Sequence, residues 1–194
     1  ISKKIKNILI IGCGGAGKAC IISTKNKYPK ANIYLFNRDL NKLKKFNKRI
    51  KINRQNIKIL NNNNSFKKLK KIDLIINTTS LGFNLGIPSI KSNFKYFSPI
   101  SLSEIKLKKL NTKEKMTNAI IENVLDTLAF LKTNSNAVIF DIIYQPSETL
   151  ILKIGKKVGL RTINGLEMNF MQAVEAFKIV NKKIKIKKII EVMK

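Results

Sequence analysis

The sequence predicts a doubly wound α/β domain, a mostly parallel sheet with helices on both faces. Three observations point to it. Short, continuous apolar runs recur along the chain, as expected of strands buried on both sides of a parallel sheet. Segments with helical spacing separate them. A glycine-rich turn, Gly12 to Gly17, joins the first apolar run to the first helix. At 194 residues the chain is long enough to bury a substantial core.

Asn7 to Ile11 is the first strand, and Lys18 to Lys27 reads as the helix after the glycines. Ala31 to Asn37 is the second strand. Asp39 can cap a polar helix running to Arg49, because a carboxylate there accepts from free N–H groups of the first turn. Ile57 to Leu60 is a short strand, and Asn61 to Asn64 reads as a surface loop. Asp73 to Asn77 is a further buried strand. From Phe83 to Asn136 the pattern loosens, with one amphipathic stretch in which Ile120, Ile121, Val124, Leu125, Leu128 and Leu131 recur at helical spacing. Those six are expected to pack. Ala137 to Tyr144 is a strong strand, Ser147 to Val158 a helix closed by Gly159, and Thr162-Ile163 a short strand. The end of the chain is expected to be helical, first from Gly165 to Lys182 and then as a basic Lys-Ile tail.

Composition excludes several chemistries. The chain has no His, so neither an imidazole-based hydrolase nor a His-ligated zinc site can be built from it. Its two cysteines are too few for an all-thiolate zinc site or a disulfide framework. No metal site is expected. The net charge of +28, from 39 basic and 11 acidic residues, invites a polyanion partner. Yet only Arg38, Arg49, Arg54 and Arg161 are arginine, the rest being Lys among 32 Ile and 23 Asn. Those three residue types follow from A/T-rich codons, whereas nucleic-acid readout favours the forked guanidinium. Sparse aromatics do not interleave with the lysines. No specific nucleic-acid partner is expected. The apolar run ending at Gly12 is too short for a signal-peptide core or a membrane span, and no other run is longer. The expectation is a protein of a reducing compartment, without a membrane segment, sampled from a longer polypeptide.

Five segments carry candidate chemistry. Gly12-x-Gly14-x-x-Gly17 follows a strand and opens a helix, the context of a Rossmann-like dinucleotide site. Gly12 permits the tight turn, Gly14 lets backbone approach a pyrophosphate, and Gly17 lets helix and strand pack closely. The helix N-terminus adds free N–H groups for phosphates. The second strand ends Asn37-Arg38-Asp39 with Lys42 beyond it. Arg38 can fork onto a 2′-phosphate and Lys42 can add charge, which favours NADP over NAD, although Asp39 could cap the helix or accept from a ribose. Asn77-Thr78-Thr79-Ser80-x-Gly82 lies at the carboxyl end of a strand, where ligands of open parallel sheets bind. Asp141-x-x-Tyr144-x-Pro146-x-x-Thr149 brings a phenol to the same edge. In Asn164-Gly165-Leu166-x-Met168-x-x-x-Gln172-Ala173, Met168 and Gln172 share one side of a helix.

In this order, the five segments resemble the C-terminal, NADP-binding part of the shikimate dehydrogenase family, from Gly12 to Gln172. The resemblance implies that Gly12, Gly14, Gly15 and Ala16 hold the pyrophosphate, while Asn37, Arg38 and Lys42 hold the 2′-phosphate end. It implies that Thr78 and Ser80 lie near the nicotinamide half, with Ile142, Gly165 and Met168 around its ring. Tyr144 and Gln172 match positions that touch shikimate or a quinate-like substrate. The implied reaction is reversible, NADPH-dependent reduction of 3-dehydroshikimate to shikimate on the way to chorismate and the aromatic amino acids, in the cytoplasm or a plastid. Other readings are an NAD-dependent quinate/shikimate dehydrogenase and a non-catalytic basic Rossmann module. Three departures stand out. Asp39 replaces the family's usual Thr, and residues 85–136 are longer than the family needs and read as an insertion. The family's N-terminal substrate domain, with its catalytic Lys–Asp pair, has no counterpart among these residues. Lys18 and Asp141 match neither catalytic position, so no catalytic residue is assigned. Residues 1–194 are therefore expected to form one NADP-binding domain with a C-terminal helical segment, 165–194, working with a substrate domain in cis.

Overall fold

A computed structural model describes residues 5–49, 56–62, 64–83, 95–100 and 112–193. Among the described residues six strands form one parallel sheet in the order β3-β2-β1-β4-β5-β6. They are β1 (Asn7–Ile11), β2 (Asn32–Phe36), β3 (Ile57–Ile59), β4 (Leu74–Asn77), β5 (Val138–Asp141) and β6 (Arg161–Ile163). The order reverses at β1, between β2 on one side and β4 on the other. This is the doubly wound arrangement expected, and it opens a crevice at the carboxyl ends of β1 and β4.

The apolar runs serve both faces because successive strand residues point opposite ways. Ile8, Ile10, Ile33, Leu35, Leu74 and Ile76 form one core layer with Ile21 and Leu43. Those last two come from α1 (Gly15–Lys27) and α2 (Leu40–Arg49). Leu9, Ile11, Ile75 and Ile139 form the other layer, with Phe66, Phe130, Leu131, Ile151 and Leu152. These come from α3 (Asn64–Lys67), α4 (Lys113–Thr133) and α5 (Leu150–Lys157). Full burial of each such side chain contributes about 1.5–3 kcal/mol. The chain ends in α6 (Leu166–Val180) and α7 (Ile186–Met193), which pack on each other.

Several boundaries differ from the sequence-based expectation, each for a local reason. Helix α1 begins at Gly15 rather than Lys18, with Gly14 as its cap, so the glycines themselves form its open first turn. Asn64 joins a short helix rather than a loop, because the Asn62 side chain accepts from the backbone N–H (3.0 Å) and hydroxyl (2.9 Å) of Ser65. Strand β5 stops at Asp141 rather than Tyr144, because the Asp141 carboxylate turns back to accept the Ile143 N–H at 3.1 Å.

Helix α4 is longer than the amphipathic stretch suggested, with Thr112 capping the Lys115 N–H. Its buried residues are Ala119, Asn123, Thr127, Phe130 and Leu131. Ile121 and Leu125, expected in the core, are 51% and 59% exposed. Polar contacts described below turn the helix this way. Residues 85–136 thus contain the crossover helix that a parallel β4–β5 pair needs. Much of what precedes α4 in the expected insertion, 85–94 and 101–111, lies outside the described residues.

Candidate nucleotide site

The carboxyl edge of the sheet is assembled from loops that hold one another. Gly12 takes φ of +111°, a conformation that side chains disfavour, and a Cβ there would sit 2.4 Å from Thr78 Oγ1. A Cβ on Gly17 would meet the Gly12 carbonyl oxygen at 2.6 Å and Thr78 Oγ1 at 2.8 Å. The three residues interlock because Thr78 donates from its hydroxyl to the Ile11 carbonyl at 2.9 Å, filling the notch between strand and helix. Above Gly14 and Gly15 there is open space, with no heavy atom within 4 Å of an added Cβ. The first turn of α1 therefore faces outward with its N–H groups free of side-chain caps.

Beside it, Asn37 ties two loops together. Its Oδ1 accepts the Cys13 N–H at 3.1 Å, and its Nδ2 donates to the Asp39 carbonyl at 2.7 Å. Asp39 caps α2 by accepting the Lys42 N–H at 3.0 Å. The cap is one of the two tasks the sequence allows Asp39. Burial pushes the Cys13 thiol above its ordinary pKa, against the opposing pull of Lys18 and Lys42, so it stays protonated at neutral pH.

Beneath the edge lies a buried polar network. Asn77 and Asp141 end β4 and β5 in register, and both are fully buried. Asp141 accepts from Thr149 Oγ1 at 2.6 Å, Asn77 Nδ2 at 2.9 Å and the Ile143 N–H at 3.1 Å. Asn77 Oδ1 accepts from the Thr79 N–H (2.9 Å) and hydroxyl (2.8 Å), which shapes the loop after β4. Desolvation raises the Asp141 pKa from an ordinary 3.8 to about 6, against the lowering effect of these donors. The carboxyl is enclosed and engaged with its own loops, as a structural group would be.

A cavity of about 280 Å³ opens over these loops. Its wall comprises Ile11 to Gly14 from β1 and its turn, Phe36 to Arg38 from the end of β2, Thr78 to Leu81 from the loop after β4, and Pro99. Of the residues singled out in the sequence, it gathers Gly12, Gly14, Asn37, Arg38, Thr78 and Ser80. Gly15, Ala16 and Gly17 form the adjoining helix turn, and Lys42 stands exposed in the first turn of α2. Ile142, Tyr144, Gly165, Met168 and Gln172 lie further along the same edge, after β5 and β6, and do not belong to this cavity wall. Tyr144 and Gln172 are both exposed. Gly165 packs against the strand-end backbone, where an added Cβ would lie 1.8 Å from the Ile142 carbonyl oxygen. Sequence reasoning did not single out Ile11, Cys13, Phe36, Leu81 and Pro99 as wall residues. Cys13 and Leu81 fill unspecified positions inside the glycine and Asn77–Gly82 segments, whereas nothing near Pro99 signals its position.

The features fit a dinucleotide. A bare glycine turn with outward N–H groups suits a pyrophosphate, and an exposed guanidinium at the end of β2 suits an added phosphate. Among the described residues no helix is long and apolar enough to cross a membrane.

No family model matches the chain. A shikimate dehydrogenase (NADP(+)) of Methanococcus aeolicus is 31% identical over 174 residues, covering 89% of this chain and 49% of that protein. The corresponding protein of Methanocaldococcus jannaschii is 33% identical over 178 residues, covering 91% and 50%. A shikimate dehydrogenase solved in complex with NADP+ superimposes with a TM-score of 0.56 at 28% identity, covering 98% of this chain and 54% of the other. The chain is therefore a relative of the shikimate dehydrogenases, matched along nearly its whole length and spanning about half the length of the relatives it matches.

Proposed function

We propose that this chain is the NADP(H)-binding half of a shikimate dehydrogenase, a single domain over residues 1–194. The observation that carries the proposal is the cavity in which the open glycine turn and Arg38 face one space. In this reading the N–H groups of Gly14, Gly15, Ala16 and Gly17 take the pyrophosphate, while Gly12 provides the turn. Arg38 and Lys42 take the 2′-phosphate. Asn37 joins them at the 2′-phosphate end, where it lines the cavity and ties the two loops together, with one amide hydrogen still to donate. Thr78, Ser80, Ile142, Gly165 and Met168 border the nicotinamide half. Tyr144 and Gln172 reach the substrate.

Bound NADPH would supply the hydride that reduces 3-dehydroshikimate to shikimate, and NADP+ would accept it in reverse. The residues of this chain bind and orient. Proton transfer to the substrate oxygen belongs to a Lys–Asp pair on a substrate domain in the same polypeptide, which is why no catalytic residue is assigned here. The free cysteines Cys13 and Cys20 suit a reducing compartment such as the cytoplasm. The test is turnover. A longer polypeptide carrying a substrate domain ahead of this chain should oxidise shikimate with NADP+, and at limiting NADP+ that activity should fall about tenfold when Arg38 is replaced by Ala. A polypeptide that binds NADP+ yet leaves shikimate and quinate untouched would overturn the substrate assignment.

A further inference from the structure

Helix α4 buries two polar side chains, Asn123 at 1% exposure and Thr127 at 0%. Buried polar groups destabilise a fold unless they are satisfied, and Asn123 is satisfied by one short segment. Asn123 Oδ1 accepts the Ser98 N–H at 2.7 Å. Its Nδ2 donates to the carbonyls of Ser98 (3.2 Å) and Ile100 (2.9 Å). The Thr127 hydroxyl, with a single hydrogen to donate, lies 2.7 Å from the Asn123 carbonyl of its own helix and 3.1 Å from the Ile100 carbonyl. The Ile100 N–H is taken by Ser98 Oγ at 3.1 Å. Every N–H and carbonyl of Ser98 and Ile100 thus has a partner. The residue between them, Pro99, has no N–H to satisfy and lines the cavity.

We infer that Asn123 is a positioning residue that fixes Pro99 as an apolar wall of the nucleotide cleft. The inference rests on the NADP(H) reading above. Pro99 shares its cavity with the open turn at Gly12 and Gly14, with Phe36 and Arg38 after β2, and with Thr78 and Ser80 after β4. Phe97 and Ile100 already anchor the segment in the core, at 2% and 0% exposure. Apolar contact is non-directional, whereas three directional hydrogen bonds to one carboxamide set which way an irregular segment faces. A wall fixed in advance spares the nucleotide the cost of ordering it on binding.

The same helix provides the control. Asn134 also makes three backbone contacts, accepting the Ile72 N–H at 2.9 Å and donating to the carbonyls of Phe130 (3.0 Å) and Leu69 (3.4 Å). It does so at the amino edge of the sheet, away from the cavity wall. Titrations of the 194-residue chain with NADP+ and with adenosine 2′,5′-bisphosphate should show Asn123→Ala weakening both by about tenfold. Pro99→Gly, which leaves α4 untouched, should weaken both with little change in Tm. Asn134→Ala should lower Tm as Asn123→Ala does, yet leave both affinities at the wild-type value. Wild-type affinity in Asn123→Ala and Pro99→Gly would overturn the inference. So would an equal loss in Asn134→Ala, because affinity would then merely track stability. A wild-type chain that binds neither ligand would remove the NADP(H) reading itself, and the inference with it.

Discussion

The two edges of the sheet use the same residue types to opposite ends. At the amino edge, Asp73 accepts the N–H groups of Lys6 (2.8 Å) and Asn7 (2.9 Å). There Asn32 donates to Asn7, and Asn134 holds the segment leading into β4. Short polar side chains close the chain upon itself. At the carboxyl edge, Asn77, Asp141 and Thr149 form an equally closed network, but glycines lie above it. With no side chain on Gly14 or Gly15, the loops stand apart and leave a cavity. The difference teaches that Asn, Asp and Thr build the frame at both ends. Function enters where side chains are absent and one arginine faces the gap.

The strongest way to break this contrast is to fill the carboxyl edge. Gly17→Val places carbon where the Gly12 carbonyl already sits, 2.6 Å from the added Cβ. It should cost about 3 kcal/mol of stability by denaturant unfolding and abolish NADP+ binding. A milder probe is pH. The Asp141 pKa is raised to about 6 in the folded chain from an ordinary 3.8. Its stabilising contribution is therefore fully present below the lower value and is lost as pH rises through the upper one. Asp141→Asn should remove that dependence, since Thr149 can reorient its hydroxyl to accept from the amide. The stability of wild type relative to Asp141→Asn should fall by roughly 2–3 kcal/mol between pH 3 and pH 7, measured by urea unfolding at each pH. Smaller still, Arg38→Ala should weaken NADP+ by about tenfold by calorimetry, with Tm unchanged. Asn134→Ala, at the closed edge, should lower Tm and leave nucleotide affinity as it is.

The frame was largely legible in the sequence. Runs such as Asn7 to Ile11 and Asp73 to Asn77 can only be strands buried on both faces, and the Gly12–Gly17 spacing marks the turn between strand and helix. Arg38 stood out because arginine is rare here. What was not legible depends on long-range partners. The six apolar residues of the α4 stretch suggest one buried face, but Asn123 and Thr127 bind residues 98–100 and rotate the helix, leaving Ile121 and Leu125 outside. Asp141 ends β5 early because its carboxylate turns back on Ile143, a local competition that periodicity does not report. Pro99 stands in a segment whose long-range hydrogen bonds run to α4, so its sequence neighbours carry no hint of its place in the cavity wall.

The most direct measurement is a calorimetric titration of the 194-residue chain with NADP+ and NAD+, in wild type and in Arg38→Ala. The expected result is that wild type prefers NADP+, and that the substitution weakens NADP+ about tenfold while leaving NAD+ nearly unchanged. Equal loss of both ligands, or no difference between them in wild type, would contradict a 2′-phosphate site at Arg38.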